Sequence, residues 1–551
     1  MWKFFNKILN RKENRQQDGS SQSHSQDQLK SGGSNSVPKS GQESIIYDQK
    51  FKNMGISKNI QDNIANIKGS MNNNFDIRVK EFKLGSRDIY GVVIYVESLA
   101  NEDIILQHVV SPLMLYSPPE LEKGDAILFN TIKDSMVIAD YIKEVETLDE
   151  ILFAIMSGDT FLCVQGYQKG FIISSKQYVG RQIGEPILEP SVRGSQEGFS
   201  EILKNNIGLI RKRIRDPNLV IEAHRIGRRS EMEVLIVYLK DVANQAVVNE
   251  ATRRITALDV DSILCTAELG LYITDDPNSI FPLYQITERP DRAVRGIMEG
   301  RVAIFMEGGT DALLVPVTMP ILLQSADDYY ENWFVVSVLR LIRYGGMLVS
   351  TFLPALYIAL TTFHTGMLPL KLVLTITGAR GGVPFPGILE AVLLLGSLEL
   401  LHEASIRLSR VIGQTVSIVG GLVIGQAAVQ AGLVGPIMII IIGLTAIGAF
   451  AFTDYSLGLA TRMLRIPFMI LSATLGIFGV AMGMLILLIY VASLESFGVR
   501  YIRPLSPYRS KDIKETVIKG KDLARTERST FLYTSNEQRQ SPKGKKGEQQ
   551  K

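Results

Sequence analysis

The sequence predicts a mixed α/β soluble N-terminal region of two subdomains, followed by an all-α, multi-spanning membrane domain. Three observations predict it. The chain has 551 residues and a formal net charge of only +3, but that charge is unevenly spread: residues from Tyr344 to Tyr490 are mostly apolar or small, and nearly all charged residues lie on either side. From Ser44 to Trp333 helical and strand periodicities alternate. Beyond that point come apolar stretches of roughly the ~17 to 25 residues a bilayer requires.

Taken in order, the first 43 residues read as a disordered polar tail. Their Ser, Gln, Asn, Gly and Lys leave too little apolar surface to offset chain entropy. Basic residues near Met1 are not followed by an apolar core of secretory length, so the soluble half is expected on the cytoplasmic side. Cys163 and Cys265 are the only cysteines, which fits a reducing compartment and excludes a disulfide framework.

Residues 44–190 and 191–333 are expected to be the two subdomains. Thr147-Leu-Asp-Glu150 reads as a capping box opening a helix that stops at Gly158. Phe161–Val164 and Phe171–Ser174 read as a hairpin. Phe199 to Ile214 and Val247 to Leu258 have helical spacing, with a buried strand at Val234–Tyr238 between them.

Residues 334–495 form the expected membrane domain. Tyr344–Phe363, Val411–Leu433, Ile437–Phe452 and Phe468–Ala492 read as spans, and Gly387–Leu401 as a shorter fifth candidate. Basic clusters at Arg407 and Arg410, at Arg462 and Arg465, and beyond Arg500 would each favour the cytoplasmic side. A single crossing over Phe468–Ala492 would put the last two on opposite sides, so parity stays open. Residues 496–551 read as a basic polar C-terminal tail.

Carboxylates at membrane depth are costly and mark pathways, relays or ion pairs, whereas an interfacial helix would simply solvate them. Glu390, Glu399 and Glu403 are therefore candidates for a pore or transmission role. On a helix Glu399, Glu403 and Arg407 share a stripe, and Glu390 lies opposite Glu399. Gln414 and Gln426 in the following apolar run need hydrogen-bond partners. Gly421 with Gly425, and Gly479 with Gly483, are small-xxx-small patterns whose ordinary use is close helix packing. In the soluble half Arg193, Glu197, Glu288, Arg289 and Asp291 either contact a ligand or join domains by salt bridges. No Walker loop, zinc spacing or nucleophile elbow is present, so neither enzyme, cofactor nor metal is expected. Arg211-Lys-Arg213 is too small a basic patch for nucleic acid.

Six runs appear in a characteristic order: Glu189-Pro-Ser-Val-Arg-Gly-Ser-Gln-Glu-Gly-Phe199, Thr287-Glu-Arg-Pro-Asp291, Asp328-Tyr-Tyr330, Val383-Pro-Phe-Pro386, the glycine-rich run from Ile412 to Ala428, and Ser496 to Pro504. In these the chain resembles the A subunits of the GerA family of spore germination proteins, over about Gln61 to Pro504. The resemblance implies a subunit of a nutrient (germinant) receptor in the spore inner membrane. It further implies a transporter-like B subunit and a lipoprotein C subunit as partners, a homo-oligomer of A subunits, and a ligand-gated cation channel. A secondary transporter subunit is the alternative, but no repeated set of helices stands out among the spans.

The soluble half, expressed as Ser44 to Ser325, is expected to fold alone and unfold cooperatively in urea. An aggregated or molten product would place the boundary elsewhere.

Overall fold

The computed structural model describes residues 54–85, 88–115, 126–138, 141–177, 189, 193–408, 421, 425–506, 508, 512–513, 516–520 and 527–539. Its N-terminal α/β part is built twice from one plan. In the first unit helix α1 (Ile60–Ser70) leads into β1 (Ile77–Lys83) and β2 (Tyr90–Val96). Helical turns over 102–115 (α2) and 126–136 (α3) follow, then β3 (Ile142–Val145), α4 (Leu148–Met156), β4 (Thr160–Val164) and β5 (Gly170–Ile173). The sheet order is β1-β2-β4-β5-β3, and every pairing is antiparallel.

The second unit repeats this. Helix α5 (Leu203–Arg213) precedes β6 (Leu219–Ile226) and β7 (Met232–Leu239); α6 (Gln245–Thr256) and α7 (Thr266–Ile273) follow. Then come β8 (Gln285–Thr287), α8 (Pro290–Met298), β9 (Val302–Met306) and β10 (Ala312–Val315), in the order β6-β7-β9-β10-β8. We call the units repeat 1 and repeat 2. Central strands are apolar on both faces because helices or loops cover both. Val93 and Tyr95 of β2 point into one core while Val92 and Ile94 point into another, and β7 divides in the same way. Thr147 does stand at the start of α4, but its side chain makes no capping hydrogen bond there.

The repeats meet closely. A Cβ on Gly208 of α5 would lie 2.6 Å from the carbonyl oxygen of Ser98, so only glycine lets that helix approach. Repeat 2 also takes in a distant piece of chain: Phe497 is buried in the core that holds Val234, Ile236 and Ile304.

A short helix, α9 (Met319–Leu322), leads to the helical part. This comprises α10 (Trp333–Thr362), α11 (Leu370–Arg380), α12 (Gly387–Arg407), α13 (Pro436–Ala449) and α14 (Tyr455–Ser493). Of these, α10 and α14 are long and apolar enough to cross a membrane. The Val411–Leu433 stretch lies largely outside the described residues.

The expectation of one continuous span over Phe468–Ala492 is corrected. Gly476 has φ 61° and ψ −141°, which no helix accommodates, and α14 turns back on itself there. A Cβ on Gly479 would sit 2.2 Å from the Leu471 carbonyl oxygen, and one on Gly483 would sit 2.8 Å from side-chain atoms of Leu471 and Phe468. In a straight helix residues 468 and 483 would be about 22 Å apart. Two antiparallel helices, 455–475 and 477–493, therefore pack through Gly479 and Gly483. Gly476, at the tip, lies against Phe363 and His364 at the distal end of α10.

At Gly421 and Gly425 a Cβ would meet nothing within 4 Å among the described residues, and residues 409–420 and 422–424 beside them lie outside those residues. Another small-residue contact joins α10 to α13, where a Cβ on Gly448 would be 2.9 Å from the Gly346 carbonyl oxygen. Gly448→Leu is accordingly expected to cost about 1–3 kcal/mol by overpacking. Gly425→Leu should stay within about 0.5 kcal/mol. Unfolding of the detergent-solubilised chain, followed by circular dichroism, checks both.

Candidate functional site

Three groups of polar residues lie where the parts of the molecule meet. The first joins the repeats. Asn74, in the turn before β1, behaves like a piece of strand: its amide donates to the Leu219 carbonyl at 2.7 Å and its oxygen accepts the Ile221 N–H at 2.8 Å. Beside it the Arg211 guanidinium donates twice to Asp76, each at 2.8 Å, with both side chains buried. The Ser98 hydroxyl also donates to Asp76, while Nη1 of Arg211 has no partner among the described residues. Over this pair opens a groove whose wall includes Phe75, Leu203 and Leu235 and the charged Arg78, Glu97 and Lys204.

The second group joins repeat 2 to the helices, and it collects most of the soluble residues singled out from sequence. Pro290 at the first position of α8 leaves Arg289 just outside the helix, its side chain turned inward and 1% exposed. Arg289 donates to both oxygens of Asp291, at 3.0 and 2.7 Å, and to the carbonyls of Glu189 and Ser195. Burial alone would lift the Asp291 carboxyl; the hydrogen bonds from Arg289 and Tyr330 outweigh it and hold the group below the usual range. Arg292 pairs with Glu189 and donates to the Gln324 carbonyl. Arg289, Arg292 and Glu189 line a pocket that Phe452 and Thr453, from the turn between α13 and α14, line on another side. Thr453 donates to the Leu322 carbonyl at 2.6 Å. Arg193 pairs with Glu331 at 3.0 Å, and Glu197 accepts from Arg213, Lys212 and Ser195.

Close by, Asp328 is buried and takes hydrogen bonds from Arg340 at 2.9 Å and Arg343 at 2.8 Å, both on the first turns of α10. Arg340 also donates to the Thr516 carbonyl, bringing the chain beyond α14 into the same knot. At the other end of α14, Tyr490 shares hydrogen bonds with Ser279 and the Ile280 N–H, and Ser496 bridges Leu283 and Val317.

The third group lies among the helices. Glu390 is fully buried, pairs with Arg380 at 3.0 Å and accepts the Gly435 N–H at 2.8 Å, at the N-terminus of α13. One carboxylate thus ties together α11, α12 and α13. Glu399 lies 3.6 Å from Arg462 and 3.8 Å from Arg465 on the first half of α14. Arg465 is anchored to Ser350 of α10, donating to its carbonyl and hydroxyl oxygens at 2.7 Å. Glu403 follows one turn after Glu399 and Gln426 is exposed. The side chain of Arg407 and all of Gln414 lie outside the described residues.

Sequence reasoning missed Asp76, Arg211, Asp328 as a charge, Arg340 and Arg343. Asp328-Tyr-Tyr330 had been visible as a run, but nothing local shows that two arginines 12 and 15 residues later turn back to it.

Residues 65–531 match the family described as Bacillus/Clostridium GerA spore germination protein. The chain is 36% identical over 470 residues to Spore germination protein B1 of Bacillus subtilis (strain 168), covering 85% of this chain and 95% of that protein. It is 34% identical over 481 residues to Spore germination protein GerLA of Bacillus cereus, covering 87% and 96%. To the Uncharacterized membrane protein YfkQ of Bacillus subtilis (strain 168) it is 34% identical over 484 residues, covering 88% and 93%. Among solved structures it is similar to the N-terminal domain of the A subunit of the Bacillus megaterium spore germinant receptor GerK3, at 23% identity and a TM-score of 0.35, over 48% of this chain and 96% of that one. The chain belongs to the GerA family of spore germination proteins.

Removing one partner of a buried ion pair strands the other. Arg211→Ala should destabilise the chain by about 3–5 kcal/mol, and the double variant with Asp76→Ala should recover part of the loss. Urea unfolding of the single and double variants measures this; equal losses with no recovery would show that the pair is not coupled.

Proposed function

We propose that this chain is a subunit of a nutrient (germinant) receptor in the spore inner membrane. In this reading repeats 1 and 2 lie on the cytoplasmic side, and the helices contribute to a cation path that opens when nutrient is sensed. A transporter-like B subunit and a lipoprotein C subunit complete the receptor, and copies of this chain assemble around the path. Family membership supports the setting. Support for transmission comes from one observation: α10 and the start of α14 are hydrogen-bonded to Asp328 and Leu322 in the segment that follows repeat 2, which Arg292 of repeat 2 holds through the Gln324 carbonyl, and the end of α14 is hydrogen-bonded to Ser279 of repeat 2 itself. A shift of repeat 2 would therefore move three helix ends together.

The hairpin also bears on sidedness. With α14 reversed at Gly476, residues 454 and 494 both lie on the repeat 2 side, so the cluster at Arg462 and Arg465 and the one beyond Arg500 share the side the positive-inside rule favours. In this topology the distal ends of α10 and of the hairpin meet at the opposite face.

Conductance separates this reading from a transporter subunit. Reconstituted receptor should pass cations on nutrient addition, and coupled nutrient uptake without conductance would favour the transporter. Glu399→Gln leaves Arg462 and Arg465 facing an uncharged side chain. Spores carrying it should accumulate the subunit but release ions about tenfold more slowly, the equivalent of ~1.4 kcal/mol in a barrier. Immunoblot and ion efflux on the same spores check this, and wild-type values for both would remove Glu399 from the path.

A further inference from the structure

Repeat 2 leaves part of its surface apolar beside the hairpin root. Helix α7 buries Leu269, Gly270 and Ile273 against the sheet and turns Leu271 and Tyr272 outward, at 57% and 50% exposed. The loop that follows exposes Ile280 at 49%. A soluble domain gains nothing from three large apolar groups in water along one short segment, so their position is informative.

That position is fixed by contacts with the end of α14. The Ile280 N–H donates to the Tyr490 hydroxyl at 3.4 Å, the same hydroxyl donates to Ser279, and the Phe281 and Tyr490 rings lie 6.2 Å apart. Nearer α7, Arg254 donates to the Ile273 carbonyl and to Asp275 and stacks 4.4 Å over Phe497, while Asp275 accepts the Phe497 N–H at 2.7 Å. The α7 segment is thus pinned beside residues 490–497, where the outward side of the hairpin helix still exposes Leu485, Ile486 and Ile489.

Of the charges nearby, Asp275 is paired with Arg254, Asp276 accepts the Asn278 N–H and Glu268 accepts the Leu264 N–H. Tyrosine with leucine and isoleucine is the composition found where a protein meets the lipid headgroup level.

We propose that the edge formed by Leu271, Tyr272 and Ile280 rests on the surface of a phospholipid bilayer, continuing the lipid-facing side of the hairpin onto repeat 2. It would act as a foot that sets the tilt of repeat 2 over the membrane. This inference rests on the reading of α14 as membrane-crossing.

The test uses the full chain in phosphatidylcholine vesicles with a phosphatidylglycerol fraction, with Trp2 and Trp333 replaced by Phe and one reporter introduced: Tyr272→Trp, Ile280→Trp or, on the outward side of the hairpin, Ile489→Trp. Quenching by lipid brominated along its acyl chains reports contact. Tyr272→Trp and Ile280→Trp are each expected to be quenched at least about half as strongly as Ile489→Trp, as befits side chains at the headgroup boundary. Quenching at Ile489→Trp but at neither of the others overturns the foot while keeping the crossing. No quenching at Ile489→Trp overturns the crossing itself. A Tyr272→Trp signal shielded from lipid and lost on dilution of the protein would assign the edge to a second copy of the chain, and would also overturn the proposal. The Tyr272→Trp change keeps an aromatic ring, and circular dichroism of each variant verifies the fold before quenching is read.

Discussion

The structure depends on how it handles charge where soluble and apolar parts join. A buried carboxylate or guanidinium left alone costs several kcal/mol, so each must be paired and its remaining donors satisfied. At the junction this is done by sharing. Asp328 serves Arg340 and Arg343, Arg289 is held by Asp291 and two carbonyls, and Arg292 is held by Glu189 and the Gln324 carbonyl. The partners come from the segment before repeat 2, from α8, from the turn before α10 and from α10 itself. No one of these segments can move far without stranding a charge. A junction of this kind resists small displacements and passes larger ones on as a unit.

Among the helices the same economy recurs with fewer groups. Glu390 neutralises Arg380 and occupies the N-terminus of α13, so its burial is offset by one opposite charge and one N–H donor. Glu399 is different. It is partly exposed and lies near two arginines rather than against one, a looser arrangement that can be rearranged at lower cost. On the proposed reading, that contrast suits Glu399 to transmission and Glu390 to holding the helices together.

Much of the fold was legible because periodicity is local. Residues 232–239 and 245–256 form the strand and helix that their spacing implies, and the break between charged and apolar halves marks where α10 begins. The duplication was not legible: the repeats share strand order and helix placement, yet no motif recurs between them, since a shared backbone plan needs only compatible patterns of burial. Nor was the hairpin. Gly476 sits in an unbroken apolar run, and glycine in such a run is ordinary; only its positive φ distinguishes it. Of the site, Arg289 and Asp291 stood out because Pro290 and three charges share five residues. Asp76 with Arg211 is separated by more than a hundred residues and has no such local signature.

Helix α14 starts beside repeat 2, turns at Gly476 and returns to repeat 2. The most direct test is the distance between spin labels at Ser456 and Ser493, measured by pulsed electron resonance on the reconstituted chain. Antiparallel packed helices lie about 8–10 Å apart, so with label arms the account expects a narrow distribution below about 25 Å. A continuous helix would separate the two sites by about 55 Å, and that result would contradict it.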